Sequence, residues 1–179
     1  ALANISQLQA TVIVANDDMG FGVDGVSGNL AVGTNGSCGV STPVWDEASK
    51  SLSWTASAPH FAKDGMTVNK GFYKASIPVA DALLLWGLSN PKDAASALTV
   101  QISTEAGGSS AAITKVSVKN NKIIVDSSGF SYSKPTFKIV RNAKYKKWAV
   151  KKKLTCVDLK TKKVTKVTAY TCGAGKKQK

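Results

Sequence analysis

Short segments with the two-residue repeat of a β-strand recur along this chain, and they constrain its fold more than any other feature. In residues 51 to 57, Leu52, Trp54 and Ala56 alternate with serine and threonine. Apolar side chains at every second position predict a strand with one buried face, here with Trp54 as its anchor. We therefore look for further strands and for the turns that separate them.

The best-defined hairpin lies between residues 112 and 126. Segments 112–119 and 122–126 are rich in β-branched residues, and Asn120-Asn121 separates them. Asparagine tolerates the positive φ that a two-residue hairpin turn requires. Other segments with strand character are 8–15, 30–32, 71–79, 97–103, 136–141, 148–154 and 163–170. About eight to ten strands at this spacing predict an all-β domain, a β-sandwich or a jelly-roll-like fold.

Residues 80 to 88 (ADALLLWGL) break the strand pattern. The run is apolar but has few β-branched residues, and Asn90-Pro91 follows it. It predicts one short helix near residues 80–89 that packs over an end of the sheet. We expect a buried plug; the alternative is an exposed apolar patch that contacts a partner.

The length of 179 residues is that of one domain with a substantial core. No apolar run reaches the roughly 20 residues that a membrane-spanning helix needs. We expect a single β-rich domain over residues 1–179. Within it, residues 1–15 are an N-terminal strand and residues 175–179 (GKKQK) are a loose basic tail.

Positive charge is concentrated in the last quarter of the chain. Residues 133–179 hold 16 of the 24 basic residues and one acid, Asp158, for a net +15, whereas residues 1–132 carry eight lysines and ten acids, for −2. Apolar residues are interleaved with these lysines, unlike the composition of a disordered polycation. The charge is therefore expected on folded strands.

Three cysteines predict one disulfide and one remaining thiol in an oxidising compartment. We expect Cys156 to pair with Cys172, because the segment between them can double back as a hairpin; Cys38 with either of them is the alternative. A hairpin turn centred on Thr161 and Lys162 would not set the two cysteines opposite each other. The predicted bridge and the predicted turn are thus in tension.

The cysteine-bounded hairpin at the end of a β-rich chain resembles the disulfide-bounded region of type IV pilin head domains. The resemblance covers about the last 20 residues. It implies an extracellular, pilus-like structural role, and we transfer no residue role from it.

Lysines interleaved with aromatic residues form a candidate surface for anions or for a partner protein. Such a surface could hold nucleic acid or anionic polysaccharide without sequence preference, since lysine contacts phosphate while an aromatic ring stacks on a base. Arg141 is the one arginine among 24 basic residues, which disfavours base reading. The predicted residues are Lys144, Tyr145, Lys146, Lys147, Trp148, Lys151, Lys152, Lys153, Lys162 and Lys163.

Self-association is the other interpretation of the charge. The first third of the chain is acidic, with Asp17, Asp18, Asp24, Asp46 and Glu47, so it could meet the basic quarter of a neighbouring copy. The N-terminal strand could also be donated to a neighbour's sheet edge, with the assembly residues Leu8, Ala10, Val12 and Val14.

Catalytic and cofactor motifs are missing from the sequence. The single histidine, His60, lies in a loop-like segment, and no nucleophile–base pattern or phosphate-binding loop surrounds it. We expect no enzymatic activity and no cofactor. Calcium is the one weak ligand candidate, through the oxygen atoms of Asn16, Asp17, Asp18 and Asp24.

The leading Ala1-Leu2-Ala3 is similar to the end of a secretory cleavage region, which favours a secreted or cell-surface protein without a membrane span. The sequence therefore predicts a secreted structural subunit that self-assembles into an extracellular filament or surface layer. The alternative is a coat-like or binding module that holds nucleic acid or anionic polysaccharide on its lysine-rich face.

Overall fold

A computed structural model describes residues 9–14, 22–23, 25–27, 29–36, 38–104, 113–132, 135–172 and 175–179. The described residues lie mostly in strands, with a few short helical segments, and the sheets are antiparallel. The predicted all-β, sandwich-like class with a short helix is therefore confirmed.

Thirteen strands are present in the described part of the chain. In chain order they are β1 (Gln9–Val14), β2 (Asn29–Thr34), β3 (Gly39–Val40), β4 (Val44–Asp46), β5 (Ser51–Ser57), β6 (Lys70–Pro78), β7 (Leu98–Ser103), β8 (Ile113–Lys119), β9 (Lys122–Ser131), β10 (Thr136–Arg141), β11 (Lys152–Asp158), β12 (Val164–Ala169) and β13 (Lys176–Gln178).

Two five-stranded sheets build the body of the domain, which we call the sandwich. The first has the order β1-β2-β6-β9-β8, and the second has the order β3-β5-β10-β7 with β4 also paired to β5. The expected alternation in β5 is observed, since Leu52, Trp54 and Ala56 are all buried. Only one face of this strand contributes to the core, as the sequence predicted.

An aromatic stack joins the two sheets. Trp54 and Phe137 come from the second sheet, Tyr73 and Phe130 from the first. Tyr73 stacks on Trp54 with ring centroids 4.9 Å apart and on Phe137 at 4.8 Å, and Phe130 meets Phe137 edge-on at 4.9 Å. Burial raises the pKa of the Tyr73 phenol far above its usual value. The core of the sandwich is therefore built around these four rings.

The hairpin between β8 and β9 forms as predicted. Asn120 and Asn121 have φ angles of 49° and 57°, the left-handed values of a tight two-residue turn. The expected end of β9 before Gly129 is wrong, because the strand continues to Ser131. Gly129, at φ 85°, is an extra residue in the pairing with β6, and this bulge lets the ladder continue beyond it.

The apolar run near residue 80 forms helix α1 (Val79–Trp86). Ala82, Leu85 and Trp86 are buried, so the expected plug is confirmed. Gly87 ends the helix with φ 74°, a conformation that a side chain would strain. A 3-10 turn (Pro91–Asp93) and a short helix α2 (Ala94–Ala97) follow, neither of which the sequence indicated.

A third sheet, of order β12-β11-β13, forms the C-terminal module. The predicted strand at 148–154 is displaced, since β11 begins only at Lys152 and runs on through Cys156 to Asp158. The predicted loose tail at 175–179 is also wrong: Lys176–Gln178 is β13, an edge strand paired with β11. Lys179 extends this pairing by donating its backbone N–H to Thr155 O at 2.9 Å.

The Cys156–Cys172 disulfide is present, with Cα atoms 5.5 Å apart. The predicted turn is present too, with residues 159–161 at its tip and Lys162 at φ 58°. Both can exist because Cys172 lies outside β12. After that strand the chain crosses to the other edge of β11, and the crossing returns Cys172 to Cys156. The tension between bridge and turn arose from placing Cys172 within the hairpin.

The N-terminal strand pairs within its own chain. β1 lies antiparallel to β2 over all six of its residues, from Gln9 opposite Thr34 to Val14 opposite Asn29. Leu8, the first of the predicted assembly residues, lies outside the described residues. The backbone of Ala10, Val12 and Val14 therefore occupies the edge of the first sheet rather than standing apart from it.

Gly71 provides a test of the packing in this sandwich. A Cβ at this position would lie 2.2 Å from Cε2 of Phe130. We expect Gly71→Ala to lower the free energy of unfolding by about 1–3 kcal/mol, since the buried ring has little room to move. Chemical denaturation measures the effect.

Phe130→Leu supplies the matched background for this test. The smaller side chain removes the clashing ring atoms, so Gly71→Ala should cost clearly less stability in that background. Equal costs in the two backgrounds would contradict the proposed clash.

Candidate functional site

The predicted anion-binding residues are spread over three segments: the stretch between β10 and β11, the start of β11, and the turn before β12. Residues 142–151 form an irregular connector between β10 and β11, in which Lys144, Lys146 and Lys147 are exposed. Tyr145 and Trp148 are half-buried and pack against the sandwich core. The lysines and the aromatic rings of the connector therefore face different surroundings.

The rings of the connector are occupied by contacts within the chain. The Arg141 guanidinium lies 4.6 Å from the centre of the Trp148 ring, and Tyr145 meets the same ring edge-on at 4.8 Å. Tyr145 also donates its hydroxyl to Asp93 Oδ2 at 2.9 Å. Desolvation, and then this hydrogen bond, raises the pKa of Tyr145. Arg141 therefore covers one face of the Trp148 ring, and both rings are half-buried, which leaves less ring surface for the predicted stacking of a nucleic-acid base.

Arg141 is the residue that joins the sandwich to the C-terminal module. It ends β10 and donates from Nε to Trp86 O at 2.8 Å, with a second, short bond from Nη2 to the same oxygen. Nη2 also donates to Tyr170 Oη at 3.5 Å. Trp86 is the last residue of α1, where carbonyl groups lack helical partners and positive charge is favoured. One guanidinium thus contacts the helix end, the connector ring of Trp148, and the segment after β12.

Gly87 makes this close approach possible. Its carbonyl accepts the backbone N–H of Ala149 at 2.8 Å. A Cβ on Gly87 would lie 3.1 Å from Ala149 O, from Arg141 Nη2 and from Tyr170 Oη. The absence of a side chain therefore lets the connector run directly against the end of α1.

A second link between the two parts is ionic. Lys151 Nζ lies 3.8 Å from Glu47 Oε1, which Lys50 also contacts, and 5.6 Å from the ring centre of Tyr170. Burial opposes ionisation of Glu47, but hydrogen bonds from Lys50 and Trp45 outweigh it and leave the pKa of Glu47 lowered. Lys151 is thus engaged within the chain, although the sequence predicted it to contact anions.

Other predicted lysines differ in their surroundings. Lys146 donates to Ala143 O and Lys162 to Leu159 O, both at 2.8 Å. Lys163 is exposed beside the hairpin tip. Lys152 and Lys153 begin β11 and, as neighbours in a strand, point to opposite faces of the sheet. Only Lys153 lies on the face that turns away from the disulfide.

Every acid in the described residues already contacts a group of its own chain. Asp158, the one acid of the basic quarter, accepts the backbone N–H of Thr161 at 2.7 Å and of Lys160 at 2.9 Å, and these bonds lower its pKa. Asp17, Asp18 and Asp24 lie outside the described residues. The remaining contacts are Asp46 with Ser49, Glu47 with Lys50, Asp64 with Thr67, Asp81 with Ser27, Asp93 with Tyr145, and Asp126 with Lys74.

Three lysines that sequence reasoning left out share the outward face with Lys153. They are Lys166 in β12, Lys177 in β13 and Lys179 just after it, and all are exposed. We call Lys153, Lys166, Lys177 and Lys179 the outer lysine face. The sequence offered one signal for β13, the two-residue spacing of Lys177 and Lys179. The short basic run at residues 175–179 was nevertheless interpreted as a loose tail.

The remaining candidates are the calcium ligands, His60 and Cys38. The calcium candidates Asn16, Asp17, Asp18 and Asp24 lie outside the described residues, and the rest of the described chain holds no group of three His, Cys, Asp or Glu residues suited to a metal. His60 is an exposed loop residue whose ring meets Phe61 edge-on at 4.6 Å. Cys38 is exposed and lies outside the disulfide, so the alternative pairing of Cys38 with Cys156 or Cys172 is not observed.

Comparison with known proteins yields one partial match. No family model matches the chain, and no solved structure matches it at a significant level. A segment of 43 residues, 24% of the chain, is 51% identical to halomucin from Haloquadratum walsbyi. The match rounds to 0% of the length of halomucin, so the chain corresponds to only a very small part of that protein. None of the described helices has the length and apolar character needed to cross a membrane.

The role of Arg141 as a joint can be measured. We expect Arg141→Lys to lower the free energy of unfolding by about 2–4 kcal/mol, because an ammonium cannot make both bonds to Trp86 O while covering the Trp148 ring. Lys144→Gln in the exposed connector is the control and should change stability by less than about 0.5 kcal/mol. Thermal unfolding followed by tryptophan fluorescence distinguishes the two variants. Similar melting curves for both would show that Arg141 does not join the two parts of the protein.

Proposed function

We propose that this chain is a structural module of an extracellular protein and has no catalytic role. The observation that carries the proposal is the Cys156–Cys172 disulfide, which fastens the crossing between β12 and β13 onto the fully buried Cys156. Stable disulfides form in oxidising compartments, outside the reducing cytosol. A bridge that holds the basic sheet together therefore supports an extracellular location.

The partial likeness to halomucin supports a modular role. The similar segment makes up a minute share of a very long protein. A small β-sandwich with a disulfide-closed sheet is well suited to serve as one unit among others in such a chain.

Self-assembly into a filament or surface layer is the finer part of the proposal. Its candidate contact is the edge strand β8, which among the described strands pairs only with β9 and which exposes Ile113 and Val118. Unpaired strand edges with exposed apolar side chains favour pairing between chains. The acidic-to-basic contact receives less support, because the described acids are engaged within the chain. Donation of β1 would require its separation from β2.

Assembly is tested by the solution mass at high concentration. We expect concentration-dependent growth in size-exclusion chromatography with light scattering, and ordered particles in negative-stain images. Val118→Lys should abolish both, since it adds charge to the β8 edge. Val164→Lys, a similarly exposed valine on another strand, is the control and should leave assembly intact. A monomer at every concentration would refute self-assembly but not the extracellular assignment.

The extracellular assignment is tested through the disulfide. We expect alkylation and mass spectrometry of the protein from its native cells to show Cys156 and Cys172 oxidised; reduced cysteines would contradict the location. Replacing both cysteines with serine should lower the free energy of unfolding by about 3 kcal/mol, because the bridge closes a loop with a sequence separation of 16. Cys38→Ser is the control and should have little effect.

Binding of a polyanion is the second candidate function. The favouring observation is the contrast between acids that contact their own chain and exposed lysines on the C-terminal module. The connector, which holds six of the ten predicted binding residues, is the weaker candidate because its rings and Lys146 and Lys151 already have contacts within the chain.

A further inference from the structure

The outer lysine face has a regular arrangement set by strand pairing. Residues directly opposite in paired strands point to the same side of a sheet. Lys153 lies opposite Thr168, and Thr155 lies opposite Lys166. The backbone bond from Lys179 N to Thr155 O sets Lys179 on the other side of Thr155. Lysine and threonine therefore alternate across the three strands.

The spacing of these lysines suits an extended chain of negative charges. Neighbouring strands lie about 4.8 Å apart, and residues two apart in a strand are separated by about 6.7 Å. Lys166 and Lys179 are therefore roughly 10 Å apart across the sheet, and Lys177 and Lys179 are roughly 7 Å apart along one edge. At one end of the face, Val157 lies between Val164 and Lys177 and supplies a small apolar border.

No described carboxylate contacts the outer lysine face. Asp158 belongs to the opposite face of β11, where Leu154 and Cys156 are buried, and its oxygens cap the hairpin tip. The four ammonium groups thus stand on an exposed surface with no acid of the described chain to neutralise them. A linear polyanion would gain contacts with all four and release its counterions.

The composition of the face favours a polysaccharide over nucleic acid. The described residues of β11, β12 and β13 on this face include no aromatic ring and no arginine, the side chains that stack on bases and grip phosphates in a bidentate manner. Threonine hydroxyls between the lysines can exchange hydrogen bonds with sugar hydroxyls. Polysaccharides are also the polyanions that the extracellular compartment of the proposed function offers.

We propose that the outer lysine face, Lys153, Lys166, Lys177 and Lys179 of the C-terminal sheet, binds a linear anionic polysaccharide through its carboxylate or sulfate groups. The choice of polysaccharide rests on the extracellular location in the proposed function. The contact is independent of sugar sequence, since flexible lysines recognise charge rather than a fixed geometry.

The experiment titrates the full chain with fluorescent heparin as the sulfated probe and alginate as the carboxylated one. The Lys→Gln variant of all four face residues should lose at least about tenfold in affinity for both. A control variant replaces Lys63, Lys92, Lys115 and Lys119 of the sandwich by glutamine. It changes the net charge equally and should retain wild-type affinity within about twofold.

The salt dependence of binding is a second measurement. The affinity of the wild type for heparin should fall roughly 50- to 150-fold between 50 and 200 mM salt, as for four ionic contacts.

Further variants keep the result interpretable. Replacing all four face lysines by arginine should preserve binding, which shows that loss in the glutamine variant comes from lost charge. If the glutamine variant does not fold by circular dichroism, the pair K166Q/K177Q takes its place and should lose about threefold or more. Replacing Lys144, Lys146, Lys147 and Lys162 by glutamine should weaken binding less than the face variant does.

Several outcomes would overturn the proposal. They are wild-type affinity in the face variant, a larger loss when Lys144, Lys146, Lys147 and Lys162 are replaced, and single-stranded DNA (poly-dT) bound as tightly as both polysaccharides. Self-association that the face variant alone abolishes would identify the face as a contact between copies instead. Each result is obtained in vitro and is independent of the oxidation state found in cells, so failure here is distinguishable from failure of the proposed extracellular role.

Discussion

The bond between the Arg141 guanidinium and Trp86 O lies where the sandwich, the connector and the C-terminal module meet. Arg141 ends a central strand of the sandwich, and Trp86 ends the helix that closes one end of its core. The same guanidinium covers the Trp148 ring and reaches Tyr170 in the C-terminal module. Because a half-buried charge is costly without partners, its contacts with all three segments favour one arrangement of connector and module over others.

That arrangement decides which lysines are available to a ligand. With the connector held against Gly87, the rings of Tyr145 and Trp148 turn toward the core, and Lys151 reaches Glu47. The third sheet then buries Cys156 on one face, leaving the other face to solvent. Arg141, the one arginine of the sequence, thus contacts both the connector and Tyr170, which directly follows a strand of the sheet that carries the outer lysine face.

Local patterns were sufficient to predict most of the sandwich. The alternation around Trp54, the Asn120-Asn121 turn and the apolar run of α1 each depend on neighbouring residues, and each formed as expected. Boundaries that depend on distant contacts were wrong. β11 begins four residues later than predicted, at Lys152 rather than at Trp148. The connector before it instead contacts the end of α1, where Ala149 N–H donates to Gly87 O. The tail at 175–179 becomes a strand because β11 offers it an unpaired edge.

The same dependence on distant contacts affects the predicted binding residues. Interleaved lysine and aromatic residues describe composition, whereas availability depends on partners that lie far away in sequence, such as Asp93 for Tyr145 and Glu47 for Lys151. Strand pairing instead gathers Lys153, Lys166 and Lys177 from three separate segments onto one face. The described acids contact groups of their own chain. The positive charge of the outer lysine face is therefore available to an anion from outside the chain. Part of the positive charge of the C-terminal quarter of the sequence is thus found, in the folded protein, on one face of the third sheet.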